Sequence, residues 1–166
     1  MLKCCSKLTT LSLRECHNVT DDAMVELMRA CGSTLTSLDL SWNKLDAEAG
    51  KALAASLAVN AVLTSIDLSK NGLRPEGGKA IAKALEVNAV LTNLNIGGNK
   101  LGSEGGVAIA EALKVNAVLT SLDIRFNDLG PVGGSAIAEA LKFNAVLTKL
   151  DIKGNNIGDE GAVALG

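Results

Sequence analysis

Five near-identical segments open at intervals of 28 residues: Leu35 to Asn43 (LTSLDLSWN), Leu63 to Asn71 (LTSIDLSKN), Leu91 to Asn99 (LTNLNIGGN), Leu119 to Asn127 (LTSLDIRFN) and Leu147 to Asn155 (LTKLDIKGN). Leu8 to Cys16 (LTTLSLREC) is a sixth copy, 27 residues ahead of the first of these. A period of this length constrains the chain more than any local propensity, because one unit cannot bury a core alone and must stack on its neighbours. The 166 residues therefore predict an array that grows linearly, each turn packing on the next, with no single central core.

Within each copy the run L-x-x-L-x-L alternates apolar and polar residues over its last four positions, as a strand with one buried face requires. Leu38, Leu40, Ile66, Leu68, Leu94, Ile96, Leu122, Ile124, Leu150 and Ile152 are expected to point inward. The following stretch changes to helical spacing, with Leu53 and Leu57, Ile81 and Leu85, Ile109 and Leu113, and Ile137 and Leu141 as i, i+4 pairs on one face. One strand and one helix per unit make successive strands parallel, so the fold class is an α/β solenoid with a curved parallel sheet inside and helices outside.

Helix starts are marked by Pro75 and Pro131, which suit a first turn, and by Glu48, Glu76, Glu104 and Glu160 near the positive helix end; Val132 interrupts that series. Gly50, Gly78, Gly106 and Gly134 recur inside the helices although Gly costs roughly 1 kcal/mol there. They predict a close approach of helix to sheet. Asn43, Asn71, Asn99, Asn127 and Asn155 each sit two residues before an apolar anchor and are expected to be buried, hydrogen-bonding the turning backbone. Asn60, Asn88, Asn116 and Asn144 form a second structural series at the helix exits, where Asn tolerates a left-handed conformation.

This 28-residue L-x-x-L-x-L-x-x-N-x-L unit with its G-x-x-I-A-x-A-L helix resembles the ribonuclease-inhibitor-like class of leucine-rich repeats, over nearly the whole chain. The same unit occurs in the sensor domains of NOD-like receptors, and the resemblance implies partner binding rather than chemistry. Residues 8 to 34 depart from it: CHNVTDDAMVELMRAC is similar to the cysteine-containing repeats of F-box proteins.

The net charge of −2 and pI near 5.4 provide no basic footprint for nucleic acid. No apolar stretch reaches the roughly 18 to 20 residues that a membrane span needs, and MLKCCSKLTT lacks the apolar core of a signal peptide. A cytoplasmic protein is expected. Cys4, Cys5, Cys16 and Cys31 crowd the first 31 residues; with His17 they raise zinc, without the spacing that makes a zinc site persuasive, or a disulfide-bonded cap. Cys5 and Cys16 read as buried small residues. No cofactor is expected.

If the strands line the concave wall, three outward rows form the binding surface. The first is Ser12, Asp39, Asp67, Asn95, Asp123 and Asp151; the second Arg14, Ser41, Ser69, Gly97, Arg125 and Lys153; the third Glu15, Trp42, Lys70, Gly98, Phe126 and Gly154. Adjacent parallel strands about 4.8 Å apart hold the first row as a line of like charges, which favours a basic protein partner; solvated Asp, or a bound divalent cation, are the alternatives. Trp42 and Phe126 read as interface anchors or as rings packed over neighbouring loops. Phe143, in place of Val59, Val87 and Val115, reads as a packing variant.

No catalytic constellation accompanies His17, so a non-enzymatic interaction module is the leading reading. The resemblance to repeat scaffolds that include GTPase-activating proteins implies one alternative, a GTPase-activating scaffold with Arg14 or Arg125 as donors, or a ubiquitin-ligase-type scaffold. A structural, self-associating array is another. Leu2 to Lys7 match the tail of a preceding repeat, and Leu147, Leu150, Ile152, Ile157 and Val163 build an apolar end face; incompleteness at both ends, or end-to-end association, is expected.

Overall fold

The computed structural model describes residues 7–17 and 19–165. Cys4, Cys5 and most of the Leu2 to Lys7 segment lie outside the described residues, as do the side chains of Cys31 and Glu160. Six short strands, β1 (Thr10–Ser12), β2 (Ser37–Asp39), β3 (Ser65–Asp67), β4 (Asn93–Asn95), β5 (Ser121–Asp123) and β6 (Lys149–Asp151), alternate with six helices. The helices are α1 (Asp21–Cys31), α2 (Ala47–Val59), α3 (Arg74–Val87), α4 (Gly102–Val115), α5 (Gly130–Leu141) and α6 (Gly158–Leu165).

The strands form one parallel sheet in chain order, in a register that aligns Leu11, Leu38, Ile66, Leu94, Leu122 and Leu150. The α/β leucine-rich-repeat solenoid expected from the 28-residue period is the observed fold. Ladder bonding runs past each strand: Leu40 N donates to Asp67 O (2.8 Å), and Trp42 N to Ser69 O (3.0 Å). Residues at the strand exits are thus held as firmly as the strands.

The inward residues Leu38, Leu40, Ile66, Leu68, Leu94, Ile96, Leu122 and Ile124 are fully buried with the helix pairs of α2 to α4 and Ile137 of α5. Leu141, Leu147, Leu150, Ile152 and Ile157 at the α5–β6 end are half-buried, and Val163 is exposed. Helix α1 substitutes Met24 and Met28 for the Leu pair. All three aromatic rings stay out of this aliphatic core.

Asn71 shows how one turn is tied to the last. Its Nδ2 donates to Leu68 O (2.9 Å) and back to Leu40 O (3.0 Å), while its Oδ1 accepts from Asn43 N (2.9 Å) and Leu45 N (3.0 Å). Asn99, Asn127 and Asn155 repeat the two carbonyl bonds in register. The exit series forms a second ladder: Asn88 Oδ1 accepts from Val90 N (3.0 Å) and Leu91 N (2.7 Å), and Nδ2 donates to Leu57 O (2.7 Å) on the preceding helix. A left-handed conformation is not how it works. Asn60, Asn88 and Asn116 are extended, with φ of −76, −72 and −72°, a geometry that swings the carboxamide over the next two amides. A threonine ladder runs beside it, each hydroxyl donating to the preceding repeat's Thr carbonyl, as from Thr92 to Thr64 (3.1 Å).

The helical glycines approach the next repeat's helix start, not the sheet. A Cβ on Gly50 would lie 2.9 Å from Gly77 Cα, and one on Gly78 would lie 2.9 Å from Leu101 Cδ2. Small residues therefore set the spacing between successive helices. Cys16 corrects a second expectation: it is a free, exposed thiol. Lying in the edge repeat, it takes the place of Asn in the ladder but has no carboxamide to bond a neighbouring turn. Among the described helices, none is long and apolar enough to cross a membrane.

Candidate functional site at the strand exits

Each member of the acidic row is first a turn-former. Asp39 Oδ1 accepts from Ser41 N (2.9 Å), Asp67 from Ser69 N (2.8 Å), Asn95 from Gly97 N (3.1 Å), Asp123 from Arg125 N (3.1 Å) and Asp151 from Lys153 N (3.1 Å). This i to i+2 bond is the Asx geometry by which a short polar side chain closes a turn. One oxygen per carboxylate is committed to the backbone, which explains Asp and Asn there; the charge remains for other use.

That charge is unevenly compensated. Arg125 bonds both carboxylate oxygens of Asp123 and also reaches Asp151 Oδ2 (3.3 Å), offsetting part of the negative charge at the β5–β6 end. These carboxylates, Asp123 foremost, raise the affinity of Arg125 for its proton. Asp39 and Asp67, register partners on β2 and β3, have no ion pair among the described residues. Their second oxygens take only neutral donors, Ser12 Oγ (3.1 Å) and Asn95 Nδ2 (2.9 Å). Partial burial pushes the Asp39 carboxyl up. The Ser41 hydroxyl and amide, the Ser12 hydroxyl and the field of Arg14 outweigh it and hold the carboxyl below the usual range. Arg14 itself pairs with Glu15 (3.3 Å), Ser41 is buried, and Lys153 stands exposed at the far edge. Among the described residues, no cluster of three or more His, Cys, Asp and Glu is placed to hold a metal.

The third row leaves the sheet on left-handed backbone: φ is 60° at Trp42, 56° at Lys70 and 53° at Phe126, against 68° at Gly98 and 71° at Gly154. A side chain there costs roughly 1–2 kcal/mol that Gly does not, and an indole, a lysine and a benzyl ring bear that cost at consecutive non-Gly positions. Trp42 is 45% and Phe126 48% exposed. Lys70 lies between them, its Nζ 5.8 Å from the Trp42 ring centroid and 5.2 Å from that of Phe126. It reaches Phe126, two repeats on, by crossing Gly98, where a Cβ would stand 2.9 Å from Lys70 Cδ. The Phe126 ring in turn leans over Gly154. Lys70 makes no ion pair among the described residues.

The structure thus joins Trp42, Lys70 and Phe126 into one patch, beside Asp39 and Asp67, and ties Asp123 and Asp151 to Arg125. Sequence spacing places all these residues on one face; the length of Lys70 and the gap at Gly98, which create the patch, leave no periodic signal. Two features mark the outer wall, of which Phe143 departs from the packing role its position suggests. Phe143 is 71% exposed, so it heads an open row with Val59, Val87 and Val115 rather than filling the core. A groove of about 690 Å³ also opens between α1 and α2, lined by Val25, Met28, Ala52, Ala55, Val59 and Val62 among others.

The chain belongs to the leucine-rich repeat family: the family model for the repeat matches residues 4–28, 33–54, 59–82, 87–110, 115–138 and 143–166. Its fold is similar to that of leiomodin-1 actin-binding site 2 (TM-score 0.70, 24% identity, 82% of this chain and 80% of that one). It is also similar to the tropomodulin C-terminal domain of Caenorhabditis elegans (TM-score 0.67, 16% identity, 82% of this chain and 84% of that one). No curated protein matches by sequence.

Proposed function

We infer that the chain is a protein-interaction module whose strand-exit face receives a basic segment of a protein partner. The observation that carries this reading is the pair Asp39 and Asp67: two register-adjacent carboxylates without an ion pair among the described residues, bordered by the exposed Trp42. Parallel strands set such groups about 4.8 Å apart, so one incoming cation attracts both carboxylates at once. Asp123, Asp151 and Arg125 contribute shape and hydrogen bonding, the two carboxylates already sharing the Arg125 guanidinium. Binding, not catalysis, is the role this surface supports.

Charge reversal tests it. Asp39→Lys with Asp67→Lys should abolish binding of a labelled arginine-rich peptide at low salt, while Glu86→Lys on the outer face leaves it unchanged. Equal binding by both variants would sink the reading. Within the family we place the repeat in the ribonuclease-inhibitor-like class on its 28-residue period and full helix per turn, and the first repeat nearer the cysteine-containing F-box type on its CHNVTDDAMVELMRAC segment. A second reading, actin as the partner, is favoured by the likeness to leiomodin-1 actin-binding site 2. Co-sedimentation with actin filaments, and inhibition of monomer assembly, are the measurements that decide it; no effect in either removes actin.

A further inference from the structure

Resting on that reading of the strand-exit face, we propose that Trp42 and Phe126 form an aromatic clamp for a lysine or arginine side chain of a protein partner, with the chain's own Lys70 held there as a displaceable placeholder. The clamp already shows its preference. A single ammonium lies within 6 Å of both ring centroids, 5.8 Å from Trp42 and 5.2 Å from Phe126, the range in which a ring's negative face attracts a cation. Among the described residues no carboxylate pairs with that ammonium, and the two rings are its partners there.

Lys70 is also poised to leave. It is exposed, unbranched, and tethered on a left-handed residue at the rim, and it spans Gly98 without being enclosed. Its withdrawal would bare Gly98, over which a partner's backbone can come close. The roughly half-exposed rings keep surface free for the incoming group. Charge complementarity selects the occupant: the carboxylates of Asp39 and Asp67 lie on the same face without ion pairs among the described residues, and they attract a partner's cation while repelling an anionic segment. An acidic segment pairing with Lys70 itself would need to overcome that field.

The test uses the full chain and labelled arginine-rich, lysine-rich and acidic peptides of equal length, read by fluorescence anisotropy. Trp42 emission gives a second readout, because the chain has one Trp and no Tyr. Lys70→Ala should tighten binding of the cationic peptides about two- to fivefold, the factor that one exposed cation–π contact represents. Lys100→Ala, which removes the same charge from a neighbouring turn, should tighten it less. Trp42→Ala and Phe126→Ala should each weaken binding about two- to fivefold, Trp42→Phe should retain most of it, and the peptide should shift Trp42 emission more in Lys70→Ala than in the parent chain. Far-UV circular dichroism confirms that these exposed-site variants fold.

Equal effects of Lys70→Ala and Lys100→Ala would overturn the clamp. So would wild-type affinity in both ring variants; if Asp39→Asn with Asp67→Asn still weakens binding in that case, the basic-partner reading survives alone. An acidic peptide that binds and is lost in Lys70→Ala overturns the clamp and the basic-partner reading together, as does no binding of any cationic peptide.

Discussion

Replacing Asn127 with Asp exchanges an amide nitrogen for an oxygen of nearly the same size, so its effect is electrostatic and free of a cavity contribution. In the fold, Asn127 is fully buried; Nδ2 donates to Ile96 O and Ile124 O (3.0 Å each) and to Arg125 O (3.2 Å), while Oδ1 accepts from Asn99 N (2.8 Å). Each carbonyl keeps another donor, from Asn99 Nδ2, Asn155 Nδ2 and Gly98 N respectively. Losing the donors alone therefore costs about 1 kcal/mol per net bond at most. A carboxylate in that place faces three carbonyl oxygens without a counter-charge, a situation worth roughly 3–5 kcal/mol. The fold responds by raising the pKa of the introduced acid above its unfolded value of about 3.9. Below that value both states are protonated and only the hydrogen-bond loss remains. Above it the unfolded state ionises first, and the penalty grows by about 1.4 kcal/mol per pH unit until the folded pKa is reached. Urea unfolding followed by circular dichroism should give a loss of about 3–5 kcal/mol near neutral pH, shrinking to roughly 1–2 kcal/mol near pH 3.5. Asn156→Asp, the same change at an exposed residue, should stay within about 0.5 kcal/mol throughout. A loss at Asn127 under about 1 kcal/mol at neutral pH, or one that persists undiminished in acid, would refute the role given to the ladder.

Gly50→Ala should destabilise by about 1–2 kcal/mol in thermal or urea unfolding despite the helix propensity Ala adds, because the new methyl meets Gly77 Cα at 2.9 Å. Arg74→Gly should stabilise by about 0.5–1 kcal/mol in the same assay, since Arg74 holds φ 59° where the equivalent positions carry Gly102, Gly130 and Gly158. The Asp39 carboxyl should titrate by NMR below the ordinary Asp range. Because its folded pKa is depressed, the stability it contributes is present above the unfolded pKa of about 3.9 and is lost as pH falls through the folded value; Asp39→Asn should flatten that part of the acid limb.

The repeat made the strands, their parallel order and the inward residues legible, because the period aligns Leu38, Ile66, Leu94 and Leu122 across neighbouring turns. Buried Asn was legible for the same reason, being a polar residue fixed beside apolar anchors. Backbone conformation was not: Asn88 is extended because its carboxamide bonds two following amides, a choice that residue type alone does not specify. The rows of the site were legible as rows. Which members cooperate was not, since the partnership of Arg125 with Asp151 and the reach of Lys70 across Gly98 depend on side-chain length and on one missing Cβ. Phe143 was misplaced because spacing shows that it shares a position with three valines without showing that the position faces solvent.

Backbone amide chemical-shift mapping with an arginine-rich peptide shows where on the solenoid a basic segment docks. Shifts confined to Asp39, Ser41, Trp42, Asp67, Ser69, Lys70 and Phe126 are the predicted result. Shifts centred instead on the outer row of Val59, Val87 and Val115, or spread evenly over both walls, would contradict it.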